Sequence, residues 1–109
     1  MIDEQKFRKL AEEALEQLQR ALEKAADTYE FEVDRNEGAL TVEFEDPPAR
    51  FVVSPNAPVR QIWVSARVQS FKLDWNPGAG AYVLPDGRSL ARLIGDVVGE
   101  QLGEPVALG

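Results

Sequence analysis

The sequence predicts an α+β fold, a two-layer α/β sandwich with two terminal helices on one face of a five- to six-stranded antiparallel sheet. Three observations predict it. Apolar residues recur at helical spacing at both ends of the chain. Between those ends the period falls to two. The alternating segments are joined by turns too short for crossovers, so consecutive strands pair antiparallel. A length of 109 residues suits a single domain over 1–109, and 44% apolar residues suffice for a packed core.

The first helix is expected over residues 3–27. Phe7, Leu10, Ala11, Ala14, Leu18, Ala21, Leu22 and Ala25 share one face. Asp3 suits the N-cap, and Ile2 with Phe7 occupy the two positions of a hydrophobic staple. From Tyr29 the spacing changes. Phe31 and Val33 alternate with Glu30, Glu32 and Asp34, which predicts a half-exposed strand. Arg35-Asn36-Glu37-Gly38 has turn chemistry, and Leu40, Val42 and Phe44 then alternate with Thr41, Glu43 and Glu45. Asp46-Pro47-Pro48 breaks this hairpin, and Arg50 to Val53 reads as a third strand. Ser54-Pro55-Asn56-Ala57-Pro58 reads as a turn.

Arg60 to Ala66 is the clearest strand, with Ile62 and Val64 inward and Gln61, Trp63 and Ser65 outward. Phe71, Leu73 and Trp75 form the next inward set, opposite Lys72 and Asp74. Asn76 to Gly80 reads as a loop, and Tyr82 to Leu84 as a short strand. The last helix is expected from Ser89 to Leu102, stopped by Gly103 and Pro105. Gly95 and Gly99 inside it each cost ~1 kcal/mol against Ala, and their spacing allows close approach of a neighbour. The apolar tail Val106-Ala107-Leu108 is expected to tuck between the helices.

Composition excludes several chemistries. Cysteine and histidine are both absent, which removes disulfides, zinc sites of Cys and His, and thiol or imidazole catalysis. Serines lack a histidine to activate them, and Gly78-Ala79-Gly80 lacks the Lys-Ser/Thr of a phosphate loop. No catalytic constellation is expected, and the chain reads as a non-enzyme. No apolar run approaches the ~18 residues of a membrane span, and the N-terminus has no export signature. A soluble intracellular protein is expected, with no membrane partner.

The net charge of −7 is unevenly spread: residues 1–46 hold 14 acidic and 6 basic residues, and residues 47–109 hold 5 and 6. An acidic pole of this kind repels nucleic acid and attracts cations or basic partner surfaces. On a helical wheel, Glu12, Glu16, Glu23 and Asp27 fall within about 60° of each other, opposite the apolar face. Glu30, Glu32 and Asp34 share one face of the first strand. These seven carboxylates are expected to form one ridge, interrupted by Arg20 and Lys24. Clustered carboxylates suit hard cations such as Fe²⁺, Mn²⁺ or Ca²⁺, and equally an Arg/Lys-rich protein surface or plain solubility. Trp63 is expected on the helix-free face, where an aromatic side chain suits protein contact or, equally, packing under a loop.

With these elements in order, the chain resembles a bacterial frataxin. The resemblance runs over about residues 5–108. It rests on Leu10-Ala11-Glu12-Glu13, Gly38-Ala39-Leu40-Thr41-Val42, Arg60-Gln61-Ile62-Trp63-Val64-Ser65, Lys72-Leu73-Asp74-Trp75, Asp86-Gly87 and the closing helix with Leu90, Leu93 and Ile94. It implies weak iron binding, as Fe²⁺ or Fe³⁺, through the ridge at Glu23, Asp27, Glu30, Glu32 and Asp34, which Glu16 joins on the same helix face. It implies docking on the cysteine desulfurase and scaffold protein that build iron–sulfur clusters, through Gln61, Trp63 and Lys72; Asn56, from the preceding turn, is read from the sheet pattern as part of the same patch. It further implies a cytoplasmic monomer that metal can drive into oligomers. The alternative is an interaction module whose open sheet binds another protein and whose acidity serves solubility alone. The chain departs from the family at Ser54-Pro55-Asn56, at Lys72 in place of Arg, at Ala81 or Tyr82 in place of Trp, and at Gln19, Arg20 and Lys24 within the acidic stretch.

Overall fold

The computed structural model describes residues 2–45 and 48–108. Helix α1 (Glu4–Ala25) leads into six strands: β1 (Glu32–Asn36), β2 (Ala39–Glu45), β3 (Pro48–Asn56), β4 (Gln61–Ala66), β5 (Gln69–Asn76) and β6 (Ala81–Val83). A 3₁₀ turn (Ala57–Val59) joins β3 to β4, and helix α2 (Leu90–Leu102) follows the sheet. The strands lie in sequence order, β1 to β6, and each pairs antiparallel with the next. This is the meander that short turns demand, with both helices on one face and the other face open.

Alternation along the strands decides which face is covered. Leu40, Val42, Phe51, Val53, Ile62, Val64 and Leu73 point inward and are buried. Phe7, Ala11, Leu15, Leu18 and Leu22 of α1 meet them from one side, and Leu90, Leu93, Ile94, Val97 and Val98 of α2 from the other. Each such side chain contributes ~1.5–3 kcal/mol by leaving water. Aromatic rings tie the layers together, with Phe44 4.9 Å from Phe51 and Phe7 edge-on to Tyr82 at 6.2 Å. The Tyr82 hydroxyl is buried without a hydrogen-bond partner among the described residues, and burial pushes its pKa up to about 12. No helix is long and apolar enough to cross a membrane among the described residues.

The helix ends follow their sequence signals. The Asp3 carboxylate accepts from the Lys6 N–H at 2.8 Å, and Ser89 caps α2 through the Arg92 N–H at 3.2 Å. Gly103 closes α2 with φ +76°. The tail then turns back along α2. A Cβ on Gly95 would stand 2.9 Å from the Val106 carbonyl oxygen, and one on Gly99 would stand 3.0 Å from that of Glu104. The two glycines thus seat the chain's own C-terminal segment. Leu108 reaches a cleft of about 340 Å³ shared with Leu10 and Ala14 of α1 and Leu90 and Ala91 of α2, so the tail does enter between the helices.

Several boundaries differ from the sequence reading. Strand β1 begins at Glu32, because Thr28 and Tyr29 donate back to Ala25 and close α1 with an extra turn. Glu30 therefore lies on that turn and not on the strand. The first hairpin has a two-residue loop, Glu37-Gly38, with φ +52° and +83°, and Arg35 and Asn36 belong to β1. Ser54, Pro55 and Asn56 continue β3 and do not form a turn. Pro55 stands beyond the last β2–β3 pair, Leu40 with Val53, where β3 has a neighbour on one side only and a missing N–H is tolerated. Arg60 takes φ +56° at the end of the 3₁₀ turn, and β4 starts one residue later. Asn76 closes β5, and the last strand is Ala81–Val83, with Leu84 left to a turn in which its N–H donates to the Arg88 carbonyl. Asp46 and Pro47 of the expected break lie outside the described residues.

Gly95→Ala tests the tail contact. Helix propensity gains up to ~1 kcal/mol, whereas overpacking against a fixed backbone oxygen costs ~1–3 kcal/mol. The expected result is a lower melting temperature together with faster amide exchange at Val106 to Leu108. Higher stability with the tail still protected would contradict the contact.

Candidate functional site

Two surfaces carry the residues singled out in the sequence. The first runs along α1 and around the edge strand β1. Glu12, Glu16, Glu23 and Asp27 are exposed, as are Glu30, Glu32 and Asp34. Their surroundings divide them into two groups. Glu12 accepts from the Arg35 guanidinium at 2.9 Å, and Glu16 accepts from Arg20 at 2.5 Å. Glu23, Asp27, Glu30, Glu32 and Asp34 make no ion pair among the described residues. The expected continuous ridge is therefore balanced at its N-terminal half and uncompensated at its C-terminal half.

The strand acids also point differently from the helix acids. Arg35 reaches α1, so the odd positions of β1 face the helices and Glu32 and Asp34 face the helix-free side. Among the described residues no three carboxylates lie close enough to hold one metal ion together. A cation here meets one or two carboxylates and keeps most of its water, which suits hard ions held weakly.

Further carboxylates join from elements the sequence pattern did not connect. An open groove of about 940 Å³ at the C-terminal end of α1 is lined by Asp27, Glu30, Glu32, Glu43, Glu45 and Glu104, with no Lys or Arg in its wall among the described residues. Phe31, Phe44, Tyr29 and Leu102 supply apolar wall between the acids. Glu32 stands directly opposite Glu43 in the β1–β2 register, a like-charge cross-strand pair that costs stability. Glu43 was legible in principle, since a two-residue loop at Glu37-Gly38 fixes that pairing. Glu104 comes from the tail beyond α2, and no local signal announces it.

The second surface is the open face of the sheet. The register aligns Ser54, Trp63 and Lys72 in one row across β3, β4 and β5, and Asn56, Gln61 and Asp74 in the next. Trp63 is 37% exposed although its neighbours Ile62 and Val64 are buried. Its Nε1–H donates to Gln61 Oε1 at 3.0 Å, and Gln61 Nε2 donates to Asp74 at 3.1 Å. The Lys72 ammonium lies 5.0 Å from the centre of the indole ring. The structure thus brings Asn56, Gln61, Trp63 and Lys72 together on two adjacent rows, with the indole locked by a polar chain on one side and a cation on the other. A rigid aromatic side chain with fixed polar neighbours loses little entropy when a partner covers it.

Comparison with known proteins agrees with this architecture. The model of the frataxin-like domain family matches residues 1–104. The iron-sulfur cluster assembly protein CyaY of Janthinobacterium sp. (strain Marseille) is 33% identical over 107 residues, covering 96% of this chain and 95% of that protein. The CyaY protein of Dechloromonas aromatica (strain RCB) is 31% identical, covering 98% and 99%. A solved frataxin from Psychromonas ingrahamii superposes with a TM-score of 0.85 at 19% identity, over 99% of both chains, and so shares the fold. Matching sequence over almost the whole chain and the same arrangement of two helices on a six-stranded open sheet lead to one conclusion: this chain belongs to the frataxin-like domain family.

Proposed function

We propose that this protein acts in iron–sulfur cluster assembly as a non-catalytic, iron-binding regulator that docks on a cysteine desulfurase and its scaffold protein. The relatives named above are iron–sulfur cluster assembly proteins, and their extent matches this chain nearly end to end. The observation that carries the iron half is the set of carboxylates around the acidic groove that make no ion pair among the described residues: Asp27, Glu30, Glu32, Glu43, Glu45 and Glu104. Oxygen donors fit Fe²⁺ or Fe³⁺ as a transient cargo, and their dispersion fits weak binding without a closed coordination cage. Glu23 and Asp34 flank this set, and Glu16 lies farther up α1 beside Arg20. The observation that favours docking is the exposed, pre-ordered Trp63 with Asn56, Gln61 and Lys72. The acidic end adds steering toward a basic partner. In this reading the protein works as a cytoplasmic monomer, and metal that neutralises the groove promotes oligomers.

Titration with Fe²⁺ under anaerobic conditions tests the iron half. At metal tenfold above Kd, stabilisation of about 1.4 kcal/mol is expected, a rise of several degrees in Tm for a domain of this size. Glu30→Lys and Glu32→Lys should each raise the metal-free Tm by relieving repulsion and shrink the gain from iron. No shift at millimolar Fe²⁺ would remove this half of the proposal.

Docking is tested by pull-down of a purified cysteine desulfurase. Trp63→Ala should weaken binding roughly 30-fold, the loss of ~2 kcal/mol typical of a central aromatic anchor. Undiminished binding of Trp63→Ala would move the contact elsewhere. No binding by the parent chain would favour an interaction module with a different partner.

A further inference from the structure

Arg35 is the one basic residue on β1, and it occupies an unusual position. Alternation along β1 puts it on the same side as Val33, toward α1. Its side chain is 19% exposed, although Lys and Arg side chains usually keep their heads in water. The guanidinium fork spans two turns of α1, with Nη2 donating to Glu12 at 2.9 Å and Nη1 donating to Gln19 at 3.4 Å. Its Nε–H is buried and finds no acceptor among the described residues. An orphaned buried donor on a fixed charge is a cost that packing alone does not explain.

We infer that Arg35 is a built-in counterion that closes the N-terminal half of the acidic face to external cations and so confines cation binding to the groove at the C-terminal end of α1. The inference rests on the cation-binding reading proposed above and adds what sets its location. A guanidinium stays charged at every relevant pH, so the neutralisation is permanent. Because it is mostly buried, salt screens it less than a surface ion. A metal ion approaching Glu12 meets this positive charge at contact distance, and a lysine or arginine from a partner meets the same repulsion. Glu16 is held nearby by Arg20. Among the described residues no Lys or Arg lines the groove, although Arg50 stands opposite Glu43 on the neighbouring strand, so an incoming cation meets mainly negative charge. A Lys at position 35 would keep the charge but lose the two-pronged grip on Glu12 and Gln19.

Paramagnetic broadening by Mn²⁺ in amide spectra of this chain tests this. Glu12 and Ala25 lie about 20 Å apart along α1 at 1.5 Å per residue, far enough for separate readout. In the parent, amides at 27–32 and 43–45 should broaden first, with those at 12–16 still sharp. In Arg35→Met, which keeps the packed stem without the charge, amides at 12–16 should broaden at roughly tenfold less Mn²⁺ than in the parent, the scale of one close charge pair. Arg35→Lys should retain the parent pattern. Identical maps for the parent and Arg35→Met would overturn the inference, leaving groove binding intact. Equal early broadening at 12–16 in the parent would overturn it even if Arg35→Met does not fold. No broadening in any of the three would overturn cation binding itself, and this inference with it.

Discussion

Negative charge that the protein leaves unneutralised is the constraint from which its surface chemistry follows. Among the described residues, six carboxylates line one groove whose wall holds no basic side chain. Glu32 and Glu43 face each other across a strand pair, where like charges are destabilising. The hydrophobic sandwich tolerates this because its stability is generated elsewhere, in a core running from Phe7 to Val98. The acids sit on the turn after α1, on the edge strand β1 and its neighbour β2, and on the tail, where repulsion is shared with water. Bound cations would relieve the repulsion, and that relief is the driving force for the proposed iron and partner binding.

The fold separates this charged end from the aromatic patch by a simple rule of alternation. Both helices bury one face of the sheet, so every second residue of β3, β4 and β5 is left toward solvent. Trp63 belongs to that exposed set. Gln61, Asp74 and Lys72 fix its indole before any partner arrives. Charge at one end draws a basic surface near, and the flat ordered face supplies contact area once it is close. The C-terminal tail belongs to both ends of this picture. It is seated on Gly95 and Gly99, contributes Glu104 to the groove, and covers part of the cleft between the helices through Leu108.

Most of the architecture was legible because it depends on local period. The two helices, the outward Trp63 and the inward Ile62 and Val64 all follow from spacing within single elements. What the sequence concealed depended on register or on distant contacts. Arg35 read as a turn residue because Arg-Asn-Glu-Gly has turn chemistry throughout, and only the left-handed Glu37 narrows the loop to two residues. That one shift put Arg35 on the strand, turned it toward Glu12, and divided a ridge that a helical wheel drew as continuous. Pro55 suggested a turn because proline is rare in central strands, and β3 outruns β2 at that residue. Glu104 joined the groove through the return of the chain along α2, which no pattern within the helix encodes.

Stability as a function of KCl at neutral pH is the most direct test of uncompensated charge. KCl screens exposed ions with a Debye length that falls from about 30 Å at 0.01 M to about 10 Å at 0.1 M. Where repulsion dominates, the urea midpoint must rise with salt over this range. Where the ion pairs of Arg8, Arg20, Arg35 and Arg88 dominate, it must fall. A clear rise is the result expected here. A midpoint that stays flat or drops would mean that the acidic side chains are already balanced, and the basis for cation recruitment would be gone.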